Sequence, residues 1–160
     1  MFFITPALRA MAGTGTFNVA SSVTVSSACT YNGSPSLPFG AYDPIVTNHT
    51  TPSTATGTLS VTCPQTLAYA LTAGPGLNSA SASGSCATGT CTRAMSNTGN
   101  FLSYDIYTSA AHATVWNATN GISGSGDGAT QSISVFGYIP PALAASAGIY
   151  TDTVTVTVTF

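Results

Sequence analysis

Large apolar and small polar residues alternate at both ends of this chain. From Gly15 to Val25, Phe17, Val19, Ser21, Val23 and Val25 fall on one face, and Thr16, Asn18, Ala20, Ser22 and Thr24 on the other. A period of two predicts a strand with one apolar side. The last residues carry the cleanest pattern. Tyr150, Asp152, Val154, Val156, Val158 and Phe160 share a face, and Thr151, Thr153, Thr155, Thr157 and Thr159 line the other. β-Branched residues throughout favour an extended backbone, and the threonine face can meet water.

Between these ends the same period recurs in shorter runs. Thr58–Cys63 points Leu59, Val61 and Cys63 inward, and Leu67–Thr72 gathers Leu67, Tyr69 and Leu71. Phe101–Thr108 aligns Leu102, Tyr104 and Ile106, and Gln131–Ile139 alternates Ile133 with Val135. Turn residues separate the runs: Asn32-Gly33 with Pro35 and Pro38, the Gly121–Gly128 stretch, and Pro140-Pro141. The Thr-, Pro- and Ser-rich stretch Ile45–Gly57 is expected to be an exposed loop, and Leu143–Gly148 a loop or helical turn. No helical stripe of core length occurs. Many short strands divided by Gly and Pro predict an all-β sandwich in one domain.

Composition narrows the function. Lys and Glu are absent; Arg9 and Arg93 are the only strong cations, and Asp43, Asp105, Asp127 and Asp152 the only acids. Two cations cannot neutralise a phosphate backbone, so no nucleic-acid partner is expected. A surface this poor in charge also repels copies of itself weakly. Cys29, Cys63, Cys86 and Cys91 fit two disulfides and an oxidising compartment. A zinc site is the rival, but no CxxC pair occurs and His49 and His112 lie far from any paired-cysteine spacing. Cys86 and Cys91, five apart across Gly89, can staple a tight loop. The opening MFFITPAL run with Ala10-Met11-Ala12 after it reads as a shortened signal peptide cleaved after Ala12.

Candidate catalytic chemistry is thin. No nucleophile elbow, metal quartet or paired-acid motif surrounds His49 or His112, so no catalytic residue, metal or cofactor is expected. Asp127 in its Gly-Ser turn is one carboxylate, a poor calcium ligand set. Asp152, facing inward at the start of a strand, calls for a hydrogen-bond partner. Trp116, Tyr104 and Tyr107 read as packing residues.

The ordered fragments resemble the spore coat protein U domain family, which includes subunits of archaic, Csu-type chaperone–usher pili. The resemblance runs from about Gly15 to Phe160. It rests on Ala28-Cys29-Thr30, Leu37-Pro38-Phe39-Gly40-Ala41-Tyr42-Asp43, Leu59-Ser60-Val61-Thr62-Cys63 and Arg93-Ala94-Met95. Gly99, Leu102–Tyr107, Trp116, Val135–Pro140 and Gly148–Phe160 complete it. Cys86 and Cys91 depart from it, standing where relatives often carry a glycine-rich turn.

The resemblance implies an incomplete immunoglobulin-like sandwich, completed by an intermolecular donor strand. It divides the chain into residues 1–12 (signal peptide), 13–27 (donor strand) and 28–160 (pilin domain). Phe17, Val19, Ser21, Val23 and Val25 would be the donated residues. Val154, Val156, Val158 and Phe160 would line one edge of the acceptor groove. Ser21, small among large neighbours, either suits a shallow pocket or is tolerated there. Cys29–Cys63 and Cys86–Cys91 would be the disulfides, the first marking where donor ends and body begins. The implied partners are other copies or related pilins in a linear heterologous fibre, with a periplasmic chaperone and an outer-membrane usher during assembly. Export through the periplasm to a surface pilus follows, with a shaft position favoured over the tip. The alternatives are a spore or outer-coat protein of the same fold and a secreted binding module that complements itself with its own first strand. Burying about four donor side chains at roughly 1.5–3 kcal/mol each would yield on the order of 6–12 kcal/mol before ordering costs.

Overall fold

A computed structural model describes residues 22–23, 28–33 and 35–160. Among the described residues eight strands form, all paired antiparallel: β1 (Thr30–Asn32), β2 (Ser53–Thr62), β3 (Ala68–Ala73), β4 (Arg93–Asn97), β5 (Asn100–Tyr107), β6 (Ile122–Ser125), β7 (Thr130–Ile139) and β8 (Val156–Thr159). They make a five-stranded sheet in the order β1-β2-β7-β5-β4 and a three-stranded sheet in the order β6-β3-β8. The result is an open, incomplete immunoglobulin-like fold. Val61, Leu71, Leu102, Tyr104, Ile106, Trp116, Val135 and Ile139 form its buried core. Alternation in β2, β3, β5 and β7 places all of these but Trp116, because successive residues of a strand point to opposite faces.

Besides β4, a strand not expected from the sequence, the structure departs from expectation in four places. β2 begins at Ser53, inside the stretch expected to be a loop, and buries Ser53, Ala55 and Gly57. These residues are small because the segment 35–39 lies against them. A Cβ on Gly57 would stand 2.7 Å from the Ser36 carbonyl oxygen, and one on Gly137 of neighbouring β7 would overlap the Phe39 ring. β6 occupies the expected Gly121–Gly128 turn, where Gly124 makes room for the Tyr69 ring and hydroxyl, which a Cβ would overlap. β5 is buried on both faces, Leu102 to Tyr107 throughout, because the stapled loop around Cys86 and Cys91 covers its outer side.

The fourth departure concerns the final segment. Only Val156–Thr159 is a paired strand, against β3. Thr151 exchanges two backbone bonds with Ser96 of β4, in the other sheet. Residues 152–155 therefore cross from one sheet to the other instead of continuing a single ladder.

Candidate functional site

The crossing segment and the segment 35–39 leave a seam between the sheets. Among the described residues β8 pairs with β3 alone, and β1 contributes three residues against β2. Along this seam runs an apolar groove in three stretches. The central one, about 330 Å³, is lined chiefly by Leu37, Phe39, Leu59, Met95, Tyr104, Ile106, Trp116, Val135, Tyr150, Val154 and Val156. Toward Tyr31 it continues as about 400 Å³ between Leu59, Val61, Leu71, Val154, Val156 and Val158. Toward the opposite pole it widens to about 670 Å³ between residues 37–45, Met95, Leu102, Ile139 and residues 145–150. Leu59, Val154 and Val156 belong to both the first and second stretches, so the groove is continuous there. Leu37, Phe39, Met95 and Tyr150 join the first to the third.

Each wall has a local cause. Phe39 stands edge-on to Tyr104 with ring centroids 5.9 Å apart, an arrangement aromatic quadrupoles favour. Its segment is anchored farther on by Tyr42, whose hydroxyl donates to the Pro140 carbonyl at 2.7 Å and accepts from the Leu143 N–H at 2.9 Å. Trp116, 1 % exposed, donates its Nε1–H to the Leu71 carbonyl at 2.9 Å, fixing the floor. Asp152 turns inward and accepts from the Tyr104 hydroxyl at 2.8 Å and the Leu77 N–H at 2.9 Å. Burial foremost, then the bond to Asp152, raises the Tyr104 pKa.

Behind this wall lies an ion pair that sequence reasoning left without a role. Arg93 and Asp105 are 1 % and 0 % exposed, with Nη1 and Oδ1 3.3 Å apart. Arg93 also donates to the Gly74 and Trp116 carbonyls at 2.7 and 2.6 Å. Asp105 accepts from the Thr92 N–H and hydroxyl. Burial lowers the Arg93 pKa and raises that of Asp105; the Thr92 bonds and the pair itself oppose those shifts.

The sequence-singled residues fall as follows. Val154, Val156 and Val158 line the groove, and Phe160 stands 54 % exposed beyond the end of β8. Of the donor residues, Val23 is 86 % exposed, and Phe17, Val19, Ser21 and Val25 lie outside the described residues, as does residues 1–12. Cys29 is joined to Cys63, and Cys86 to Cys91. Cys86, Cys91 and Asp105 gather closely, but sulfurs tied in a disulfide are not metal donors. His49 lies on an exposed turn, whereas His112 packs against Tyr107 and Tyr138 on the outer face, so the two histidines share no site. Asp127 caps its own turn by accepting from the Ala129 N–H at 2.9 Å.

Residues 13–157 match the Spore Coat Protein U domain. The chain belongs to that family. Over 158 residues, 94 % of this chain and 88 % of the relative, it is 32 % identical to Protein U of Myxococcus xanthus. Among solved structures it is similar to the CsuC–CsuE chaperone–tip adhesion subunit pre-assembly complex from archaic chaperone–usher Csu pili of Acinetobacter baumannii. That match has a TM-score of 0.57 and 25 % identity; it covers 86 % of this chain, which spans 40 % of the chain it matches. The family is one of structural subunits, not enzymes.

Proposed function

We propose that the chain is a structural subunit of a surface pilus, polymerised by donor-strand complementation and supporting adhesion and biofilm formation. The observation that carries this reading is the continuous apolar groove beside β8, which has one strand partner among the described residues. An open edge of this kind displays unpaired N–H and C=O groups and invites a further strand. Phe17, Val19, Ser21, Val23 and Val25 of the next copy supply it, laying alternate apolar side chains between Val154, Val156 and Val158 on one wall and Leu37, Phe39 and Leu59 on the other. Main-chain pairing gives affinity and the pockets give register. Phe160 closes that edge at its end.

Donor and groove are different parts of the subunit, so each contact is heterologous and copies propagate as a fibre. Because the chain carries both halves of the contact, it sits in the shaft rather than at the tip. Before polymerisation a periplasmic chaperone covers the groove, and an outer-membrane usher exchanges chaperone for donor. The signal peptide of residues 1–12 directs export, and Cys29–Cys63 ties the base of the donor to the body. The 32 % identity to Protein U favours a second reading, a coat protein built on the same contact.

Deleting residues 13–25 from the secreted chain and imaging the product by electron microscopy tests the reading. The intact chain should yield filaments. The deleted chain should yield none, while still capturing an added peptide of residues 13–27. Lone molecules of the intact chain, each holding its own residues 15–25 in its groove, refute it.

A further inference from the structure

Among the described residues the groove's outer wall, β8, is paired with β3 alone, so the groove's width depends on what holds the two sheets apart behind it. Three observations converge on the Arg93 side chain. It rises from β4, at the edge of the five-stranded sheet, and is bound to Asp105 of β5 in that same sheet. Its Nη2 reaches the Gly74 carbonyl at 2.7 Å, just beyond β3 of the three-stranded sheet. The same nitrogen reaches the carbonyl of Trp116, whose ring lines the groove floor. Gly74 in turn donates its N–H to the Thr155 carbonyl at 2.8 Å, immediately before β8. A covalently rigid guanidinium thus links the five-stranded sheet, through Gly74, to the backbone of the groove's outer wall.

We infer that Arg93 is a positioning residue for the acceptor groove: held by Asp105, it sets the distance of the β8 wall at which a donor strand fits. The inference rests on the donor-strand reading above. Two features support a spacer over a purely stabilising role. A buried ion pair is a poor source of stability, since desolvation offsets its attraction and apolar replacements of similar volume are often neutral. The guanidinium's planar fork holds several acceptors in fixed relative positions, which an ammonium on a loose stem cannot do. Asp105 is itself oriented by Thr92, which follows Cys91 of the short stapled loop in which the Cys86 N–H donates to Gly89 and the Cys91 N–H to Gly84. The Cys86–Cys91 staple therefore steadies the far end of the same line of contacts.

The test uses the full chain, oxidatively refolded with a labelled synthetic peptide of residues 13–27, as wild type, Arg93→Lys and the pair Arg93→Met with Asp105→Leu. Peptide capture, thermal melting and amide hydrogen exchange at Gly74 are read on each. Arg93→Lys keeps the charge beside Asp105 and should stay folded. It should capture the peptide about tenfold more weakly, within the range of coupling seen inside one hydrogen-bonded network, and exchange the Gly74 amide faster. The double variant, if folded, should melt near wild type and show at least the same loss. If Arg93→Lys is folded and captures the peptide as wild type does, the spacer role is overturned, whatever the double variant does. If wild type itself captures no peptide, the donor-strand reading has failed instead, and the two failures are told apart.

Discussion

Under the proposed donor role, a change at Val23 should separate the stability of the body from the strength of assembly. Val23 is 86 % exposed, so in a lone molecule its side chain contributes almost nothing to folding. In a completed groove it would be buried. Val23→Ala removes the equivalent of two methylenes, about 1.6 kcal/mol at roughly 0.8 kcal/mol each. A cavity left in a well-packed groove raises the total to about 2.5 kcal/mol. That range corresponds to roughly 15- to 60-fold weaker donor binding. Val23→Asp should abolish assembly, because burying an unpaired carboxylate costs far more. The assay pairs a thermal melt of the monomeric fraction with urea dissociation of multimers on non-reducing gels. The expected result is an unchanged melt beside multimers that dissociate at lower urea. A lowered melt with unchanged multimers refutes the reasoning, since it would place Val23 inside its own body.

Three further outcomes follow from the packing. Gly137→Ala pushes a methyl group into the Phe39 ring; overpacking of this kind costs about 1–3 kcal/mol, so the melting temperature should fall, and an unaltered melt contradicts the described seat of residues 35–39. Burial raises the pKa of Tyr104 and of Tyr107. The unfolded chain releases these protons near pH ~10 while the folded chain keeps them, so stability is full below that pH and declines as pH rises above it. Melts on either side of pH ~10 should show the decline and Tyr104→Phe should flatten it, whereas an identical slope in the variant rules out that tyrosine as its source. Separate serine replacements of the two cystine pairs should differ, since Cys29–Cys63 spans 34 positions and Cys86–Cys91 spans 5. Loop-closure entropy assigns about 4 kcal/mol to the first and about 2 kcal/mol to the second, and equal losses in denaturant melts would contradict that account.

The sequence by itself determined which runs are strands wherever the inward residues are large. Leu59 and Val61, Tyr69 and Leu71, and Leu102, Tyr104 and Ile106 announce their face by local alternation, and a period of two needs no knowledge of the partner. The first half of β2, β4 and β6 escaped that rule. Gly57 and Gly124 are bare because Leu37 and Tyr69, 20 or more positions away, fill the space a side chain would take, and only folding brings them near; β4 turns Arg93 and Ala94 inward with no apolar alternation to announce it. The roles of Arg93 and Asp105 were equally hidden, because the carbonyls of Gly74 and Trp116 lie 19 and 23 positions from Arg93. Even the valine-threonine run at the end, the clearest pattern in the chain, gave its face but not its course. Tertiary pairing decided that Thr151 joins β4 while Val156–Thr159 joins β3, and so where the chain crosses between the sheets. Alternation is written in neighbouring residues; backbone pairing and the burial of charge are settled between distant ones.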